Sequence, residues 1–115
     1  MAVANASRTT RTLAETDWAR LTSMRVFFGH QSVGRDILDG AEALAAKSGR
    51  RLRIERITGP LPEGPALFHA DIGRNGDPGS KTDEFVRILE SGAGGRCDVA
   101  LHKYCFVDFN RDAGK

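Results

Sequence analysis

The pattern of apolar and polar residues along the chain predicts three strands. Residues 24–29, MRVFFG, form an apolar and aromatic run that is typical of a buried strand. Residues 51–57, RLRIERI, alternate apolar with charged side chains, which predicts a half-exposed strand at or near a sheet edge. Residues 97–109, CDVALHKYCFVDF, predict a long strand buried on both faces, since only His102 and Lys103 interrupt its apolar character.

Three helices are predicted where apolar residues recur every three or four positions. Residues 12–22 form a short helix with a capping box at Thr12 and Glu15, and its apolar face carries Ala14, Trp18 and Leu21. Residues 33–48 form a longer helix that stops at Gly49, with an apolar stripe of Ile37, Leu38, Ala41, Leu44 and Ala45. Residues 80–91 form a third helix that stops at Gly92, with a capping box at Ser80 and Asp83 and inward-facing Phe85, Val86, Ile88 and Leu89.

Strands that alternate with helices predict an α/β fold with a parallel sheet and right-handed crossovers. Three strands are few for such a sheet, and the last of them has the character of a central strand. We therefore expect an incomplete sheet, with residues 1–23 as a helical extension and residues 24–115 as the N-terminal part of one larger domain.

Residues 59–79, GPLPEGPALFHADIGRNGDPG, stand out because they hold all four prolines and five of the glycines. The composition predicts a long irregular connection, and such loops are usually functional or disordered. Loops that follow parallel strands lie at the carboxyl edge of the sheet, where ligands bind. We therefore expect residues 29–33, 59–79 and 106–115 to converge at one edge.

Composition narrows the choice of function only slightly. The chain has 115 residues and a net charge of +2 without a dense basic patch, so we expect no nucleic-acid partner. No apolar run approaches the ~20 residues that span a bilayer, so we expect no membrane partner. The N-terminus carries no secretory signal pattern, which leaves the cytoplasm as the default compartment. Cys97 and Cys105 are predicted to be reduced thiols, and no Cys/His spacing suits zinc.

GHQSVGRD, residues 29–36, comes close to two known motifs. Gly29 and Gly34 have the spacing of a phosphate-binding loop, but Arg35 and Asp36 stand where lysine and a hydroxyl residue are needed. We therefore do not expect nucleotide hydrolysis. Ser32 stands one position later than the serine of a nucleophile elbow. It either acts as a nucleophile, favoured by the helix dipole and exposed N–H groups, or caps the helix, which is the commoner role.

Three segments, VFFGHQSVG, IGRNGDPGSK and CDVALHKYCFVD, resemble the N-terminal half of SGNH/GDSL-type hydrolases, in a divergent branch. The resemblance implies a flavodoxin-like, three-layer α/β/α fold. It also implies ester hydrolysis by a serine nucleophile, with small-molecule or acylated carbohydrate esters as substrates and with neither cofactor nor metal. In that family a glycine N–H and an asparagine amide hold the oxyanion, and a histidine near the C-terminus is the base.

The family's motifs carry over to this chain only in part. Ser32 is the catalytic candidate, with His30 and Gln31 at the positions of the family's aspartate and serine. The oxyanion and substrate-binding candidates are Gly73, Asn75 and Asp108, together with His30, Gln31 and Lys103. The family's Asp-x-x-His block is missing, and His30, His69 and His102 all lie in other segments. We therefore expect the isolated 115-residue chain to be inactive, since a serine without a base is a weak nucleophile.

Plainer explanations exist for several of these residues. His30 is either a base or a polar contact, His69 is predicted to be a loop residue, and Asn75 is a common turn former. Lys103 lies within an apolar strand, where it needs a partner such as Asp108. The alternative function is a non-catalytic α/β module that binds an anion or a sugar at the helix start, Ser32–Gly34.

Overall fold

The computed structural model describes residues 14–109, and of Ser32 only the backbone. This part of the chain contains, in order, α1 (Glu15–Thr22), β1 (Arg25–His30), α2 (Ser32–Lys47), β2 (Ile54–Arg56), β3 (Ala66–Asp71), α3 (Pro78–Glu90) and β4 (Val99–His102). Two short 3-10 turns follow α3 and β4, at Ala93–Gly95 and Phe106–Phe109. Among the described residues, no helix is both long and apolar enough to cross a membrane.

The four strands form one parallel sheet in the order β2-β3-β1-β4. The predicted α/β class and the parallel sheet are confirmed, and β2 lies at an edge as its alternating pattern indicated. The sheet has four strands rather than three, because β3 lies inside the segment that we predicted to be irregular. The prolines and glycines of residues 59–79 flank a short run, ALFHAD, that is compatible with a strand.

Helices cover both faces of the sheet, which gives three layers. On one face, Phe27 and Phe68 form a core with Ile57 and Leu61, and α3 packs against it. On the other face, Trp18 of α1 is buried against Ala45 of α2 and Leu52. Each helix packs on the sheet through part of its apolar stripe, so the sequence periodicity predicts the arrangement of layers.

The last strand is shorter and more exposed than its sequence predicted. β4 covers only Val99–His102, after which the chain turns into the second 3-10 turn. Val99 and Leu101 are 40% and 45% exposed, so the strand is not buried on both faces. The reason is its place in the described sheet, where β4 has β1 as its one strand neighbour.

Both long helices begin and pack slightly differently from the prediction. The N-cap of α3 is Asp77 rather than Ser80, and its side chain accepts a hydrogen bond from the Ser80 N–H at 3.1 Å. Gly49 and Gly92 do end α2 and α3, with positive φ at both. Three predicted inward side chains are exposed instead, namely Ile37, Leu44 and Val86. The predicted cap residue Thr12 lies outside the described part of the chain.

Candidate active site

The order of the strands marks one end of the sheet as the place for a site. From β1 the chain moves to β2 at the outer edge and then to β3 beside β1, and from β3 it crosses to β4 on the other side of β1. Such a reversal opens a crevice at the carboxyl ends of the strands, which is where open α/β sheets bind ligands. The segments that follow β1, β3 and β4 start at this edge. Of the three loops predicted to converge, residues 29–33, 72–79 and 106–109 lie here, whereas residues 59–65 lead to the opposite end of β3.

Ser32 is the first residue of α2, directly beyond β1. The N-cap is Gln31, whose extended backbone has φ −123° and ψ −163°. An N-cap precedes the first helical residue, so the capping role considered for Ser32 does not match its position. The backbone of Ser32 lies at the positive end of a 16-residue helix, where negative charge is favoured.

Gln31 ties the start of α2 to the loop after β3. Its side-chain Nε2 donates to the carbonyl oxygens of Ile72 and Gly73, at 2.8 and 2.7 Å. Two carbonyl acceptors require the amide nitrogen to face them, which settles the orientation of the amide group. Gln31 therefore joins two motif segments that lie about forty residues apart in the sequence.

His30 and His69 form a buried pair on the α2 side of the sheet. His30 Nε2 lies 2.9 Å from His69 Nδ1, and His30 Nδ1 lies 2.8 Å from the Gln31 carbonyl. Because a carbonyl only accepts, His30 carries its proton on Nδ1, and when it is neutral its Nε2 accepts from His69. His69 lies on β3 and not in a loop, which corrects the prediction made for it.

Burial is the main reason that the pKa of His69 falls from 6.5 to about 4, and the charges of His30, Arg35 and Arg56 lower it further. At neutral pH His69 is therefore uncharged and a weak base. Both ring nitrogens of His30 are engaged within the protein, so His30 has no free nitrogen for a substrate in this arrangement.

Gly73 and Asn75 lie in the turn between β3 and α3. Gly73 has φ +57°, and an added Cβ would meet the Lys81 backbone nitrogen at 2.5 Å, so only glycine suits this position. Its N–H, predicted to help hold an oxyanion, donates to Glu84 Oε1 at 2.8 Å. Asn75 is exposed, and its Oδ1 accepts from Lys81 Nζ at 2.8 Å.

Asp108 is buried in the 3-10 turn after β4, and its partner is Lys81 rather than Lys103. Lys81 Nζ lies 2.6 Å from Asp108 Oδ2, and the N–H groups of Cys105 and Gly76 donate to the same carboxylate. Burial raises the pKa of Asp108, but these hydrogen bonds outweigh it and hold the pKa below 3.8. Asp108 is therefore an internal counter-ion that accepts hydrogen bonds from three donors of the protein.

Lys103 follows β4 and is half-buried. Its Nζ donates to the Tyr104 carbonyl at 2.8 Å, and its N–H donates to the Gly29 carbonyl. The predicted pair with Asp108 is wrong because the chain leaves the strand direction after His102. Residue 103 and residue 108 therefore do not share an extended strand.

Three residues of this region were not predicted from the sequence to belong to the site, namely His69, Lys81 and Glu84. Lys81 left a signal, since it precedes Phe85 and Ile88 by four and seven positions and so shares the apolar face of α3. His69 was missed because the surrounding prolines and glycines hid its strand. Glu84 left no signal that distinguishes it from a solvated helix carboxylate.

A cavity of about 580 Å³ lies next to this region, between residues 57–61 and α3. Its lining includes apolar side chains such as Leu61 and Ile88, together with Asp71, Glu84 and Arg87. No residue predicted for the site lines it, yet Glu84 links it to the Gly73 N–H. Its size is typical of small-molecule pockets.

The fold defines the chain as a doubly wound α/β protein with a polar loop cluster at its strand-order reversal. Compared with protein-family models, curated proteins and solved structures, the chain matches none. Among the described residues, no group of three or more His, Cys, Asp or Glu side chains is arranged to hold a metal ion.

Proposed function

We propose that this domain carries a serine ester hydrolase site of the SGNH type, with Ser32 as the nucleophile. The observation that carries the proposal is the meeting of three distant motif segments at one sheet edge. Gln31, beside Ser32, donates to Gly73, and Lys81 joins Asn75 to Asp108. These are the segments that resemble the family, and the resemblance gives each of them a role at one reacting carbonyl.

Each group has a defined part in the proposed reaction. The Ser32 hydroxyl attacks the ester carbonyl at the positive end of α2, which favours the developing oxyanion. The Asn75 amide group donates a hydrogen bond to that oxyanion. The Gly73 N–H becomes a second donor once its hydrogen bond to Glu84 is broken. The acyl group transfers to the Ser32 oxygen, and the alcohol leaves with the proton from the serine hydroxyl.

The base is the missing part of the proposed mechanism. His30 and His69 are bonded to each other, and His102 packs between Phe85 and Tyr104. The sequence holds no Asp-x-x-His segment. We therefore expect this chain alone to be inactive and to hydrolyse esters only when an external base is supplied.

Hydrolysis of 4-nitrophenyl acetate with and without added imidazole tests the proposal. We expect imidazole to accelerate turnover by the chain above the background that the same imidazole gives with Ser32→Ala. An acetyl group should also appear by mass spectrometry on the tryptic peptide that contains Ser32. Equal rates for the wild type and Ser32→Ala, with no acetyl group on that peptide, would remove Ser32 from the mechanism.

A non-catalytic module that binds an anion or a sugar at the helix start, Ser32–Gly34, is the second candidate. It is favoured by the position of this segment at the positive end of a 16-residue helix. This candidate predicts no acetylation of Ser32, together with measurable binding of acetate or a simple saccharide by calorimetry.

A further inference from the structure

Lys81 has an environment that is unusual for a lysine. It lies near the start of α3, and its side chain is fully buried. Lysine is almost never fully buried unless it is paired, because removing an ammonium group from water is costly. Here the buried ammonium group has two partners, the Asp108 carboxylate and the Asn75 amide.

The ammonium group of Lys81 determines how the Asn75 amide is oriented. Lys81 Nζ lies 2.8 Å from Asn75 Oδ1 and 2.6 Å from Asp108 Oδ2. An ammonium group only donates, so the oxygen of Asn75 must face it. The Asn75 NH₂ group is thereby left to donate to another partner, and Asn75 itself is exposed.

Asp108 in turn holds the ammonium group in place. Its two carboxylate oxygens accept from the N–H groups of Gly76 and Cys105 at 2.7 Å each, in addition to Lys81. Gly76 is the neighbour of Asn75. The Asp108 carboxylate therefore connects the turn that contains Asn75 with the segment after β4 through hydrogen bonds. The amide of Asn75 is therefore fixed from both its backbone and its side chain.

We propose that Lys81, backed by Asp108, is a positioning residue that presents the Asn75 NH₂ group to the oxyanion of an ester substrate. This inference rests on the proposed function and extends it. The positive charge at the amide oxygen also polarises the amide and strengthens its N–H donors. Lys81 does not touch the substrate, so its influence on the reaction passes through Asn75.

A double-mutant cycle in the imidazole-supplemented assay tests this dependence. Loss of one oxyanion donor typically lowers kcat by about 10²–10³-fold, and we expect about 10–100-fold for Asn75→Ala with KM unchanged. Lys81→Met should lower kcat similarly, whereas Lys81→Gln, which keeps a donor, should lose less. In the Asn75→Ala background, Lys81→Met should have no further effect. A further loss of the same size there would overturn the inference.

Lys81→Met leaves the Asp108 charge buried without its partner, which can destabilise the fold. A loss of kcat caused by misfolding must therefore be distinguished from one caused by a misplaced Asn75 amide. Lys81→Met/Asp108→Asn removes both charges and should give the same loss of kcat with a cooperative unfolding transition. If this double variant regains wild-type kcat, the positioning role is wrong.

A second measurement does not depend on hydrolysis. In the wild type, we expect ¹⁵N relaxation to show a rigid Asn75 side-chain amide, and Lys81→Met should make that amide mobile. An amide that is equally ordered in both proteins would overturn the positioning role. Absence of ester hydrolysis by the wild type in the presence of imidazole would instead overturn the proposed function, whatever the mobility of the amide.

Discussion

At the scale of single residues, the glycines of GHQSVGRD serve packing rather than phosphate binding. Gly29 lies against Ile72, where an added Cβ would approach the Ile72 Cδ1 to 2.9 Å. Gly34 lies against the ring of His30. Glycine at positions 29 and 34 is therefore explained by close packing against Ile72 and His30, without a bound phosphate.

The His30–His69 pair predicts a pH dependence of stability. The pKa of His69 is about 4 in the folded protein and 6.5 for an unperturbed histidine, so the unfolded chain binds more protons between these values. Stability is fully present above pH 6.5 and falls by up to about 3 kcal/mol as the pH decreases to about 4. Urea unfolding at a series of pH values measures this slope.

The matched variant for this prediction is His69→Asn, whose amide N–H takes the place of the imidazole Nδ1–H. It should flatten the slope between pH 4 and 6.5. A remainder should persist, because burial, followed by the charge of Lys81, also lowers the pKa of His102. An unchanged slope in His69→Asn would show that His69 is not the group that titrates.

At the scale of elements, α2 carries two glycines with opposite expected responses to substitution by alanine. At Gly34, an added Cβ would overlap the His30 side chain, whose two ring nitrogens are both engaged. We expect Gly34→Ala to destabilise the protein by about 1–3 kcal/mol through overpacking. Chemical denaturation measures the change.

Gly40 is the control for this prediction, because it lies in the same helix with nothing within 4 Å of an added Cβ. Gly40→Ala should stabilise the protein by about 0.5–1 kcal/mol, since glycine is a poor helix former. If both variants were stabilised equally, the close contact between Gly34 and His30 would not exist in solution.

At the scale of the whole molecule, the face of the sheet beside β4 is less well covered than the rest. Val99 and Leu101 are exposed on this face, and Ile37 of α2 is exposed as well. β4 is also an outer strand of the described sheet. Outer strands with exposed apolar side chains are surfaces through which proteins associate.

We therefore expect the chain to self-associate at high concentration, and Leu101→Lys to reduce this association. Sedimentation velocity over a range of concentrations measures the effect. Val86→Lys on α3 is the control, because Val86 is exposed to a similar degree but lies in a helix. A decrease of equal size in both variants would indicate a general effect of charge rather than association through β4.

Sequence patterns predicted the layers of the fold better than the exact strands. The apolar run at β1 and the periodicity of α2 and α3 were sufficient for the parallel α/β class, because each element buries one face. β3 was not predicted because the prolines and glycines on either side of it, such as Pro65 and Gly73, are typical of loops. The length of β4 was overestimated because local apolar character does not reveal how many neighbours a strand has.

The sequence by itself showed where polar residues cluster along the chain, in GHQSVGRD, IGRNGD and the stretch up to Asp108, because such clustering is local. Only the tertiary structure decided which side chains meet. It paired Asp108 with Lys81 rather than Lys103, joined His30 to His69, and made Gln31 the cap of α2. The physical reason is that burial and hydrogen bonding depend on the order of the strands and the direction of the chain. The local pattern of apolar and polar residues carries no information on either.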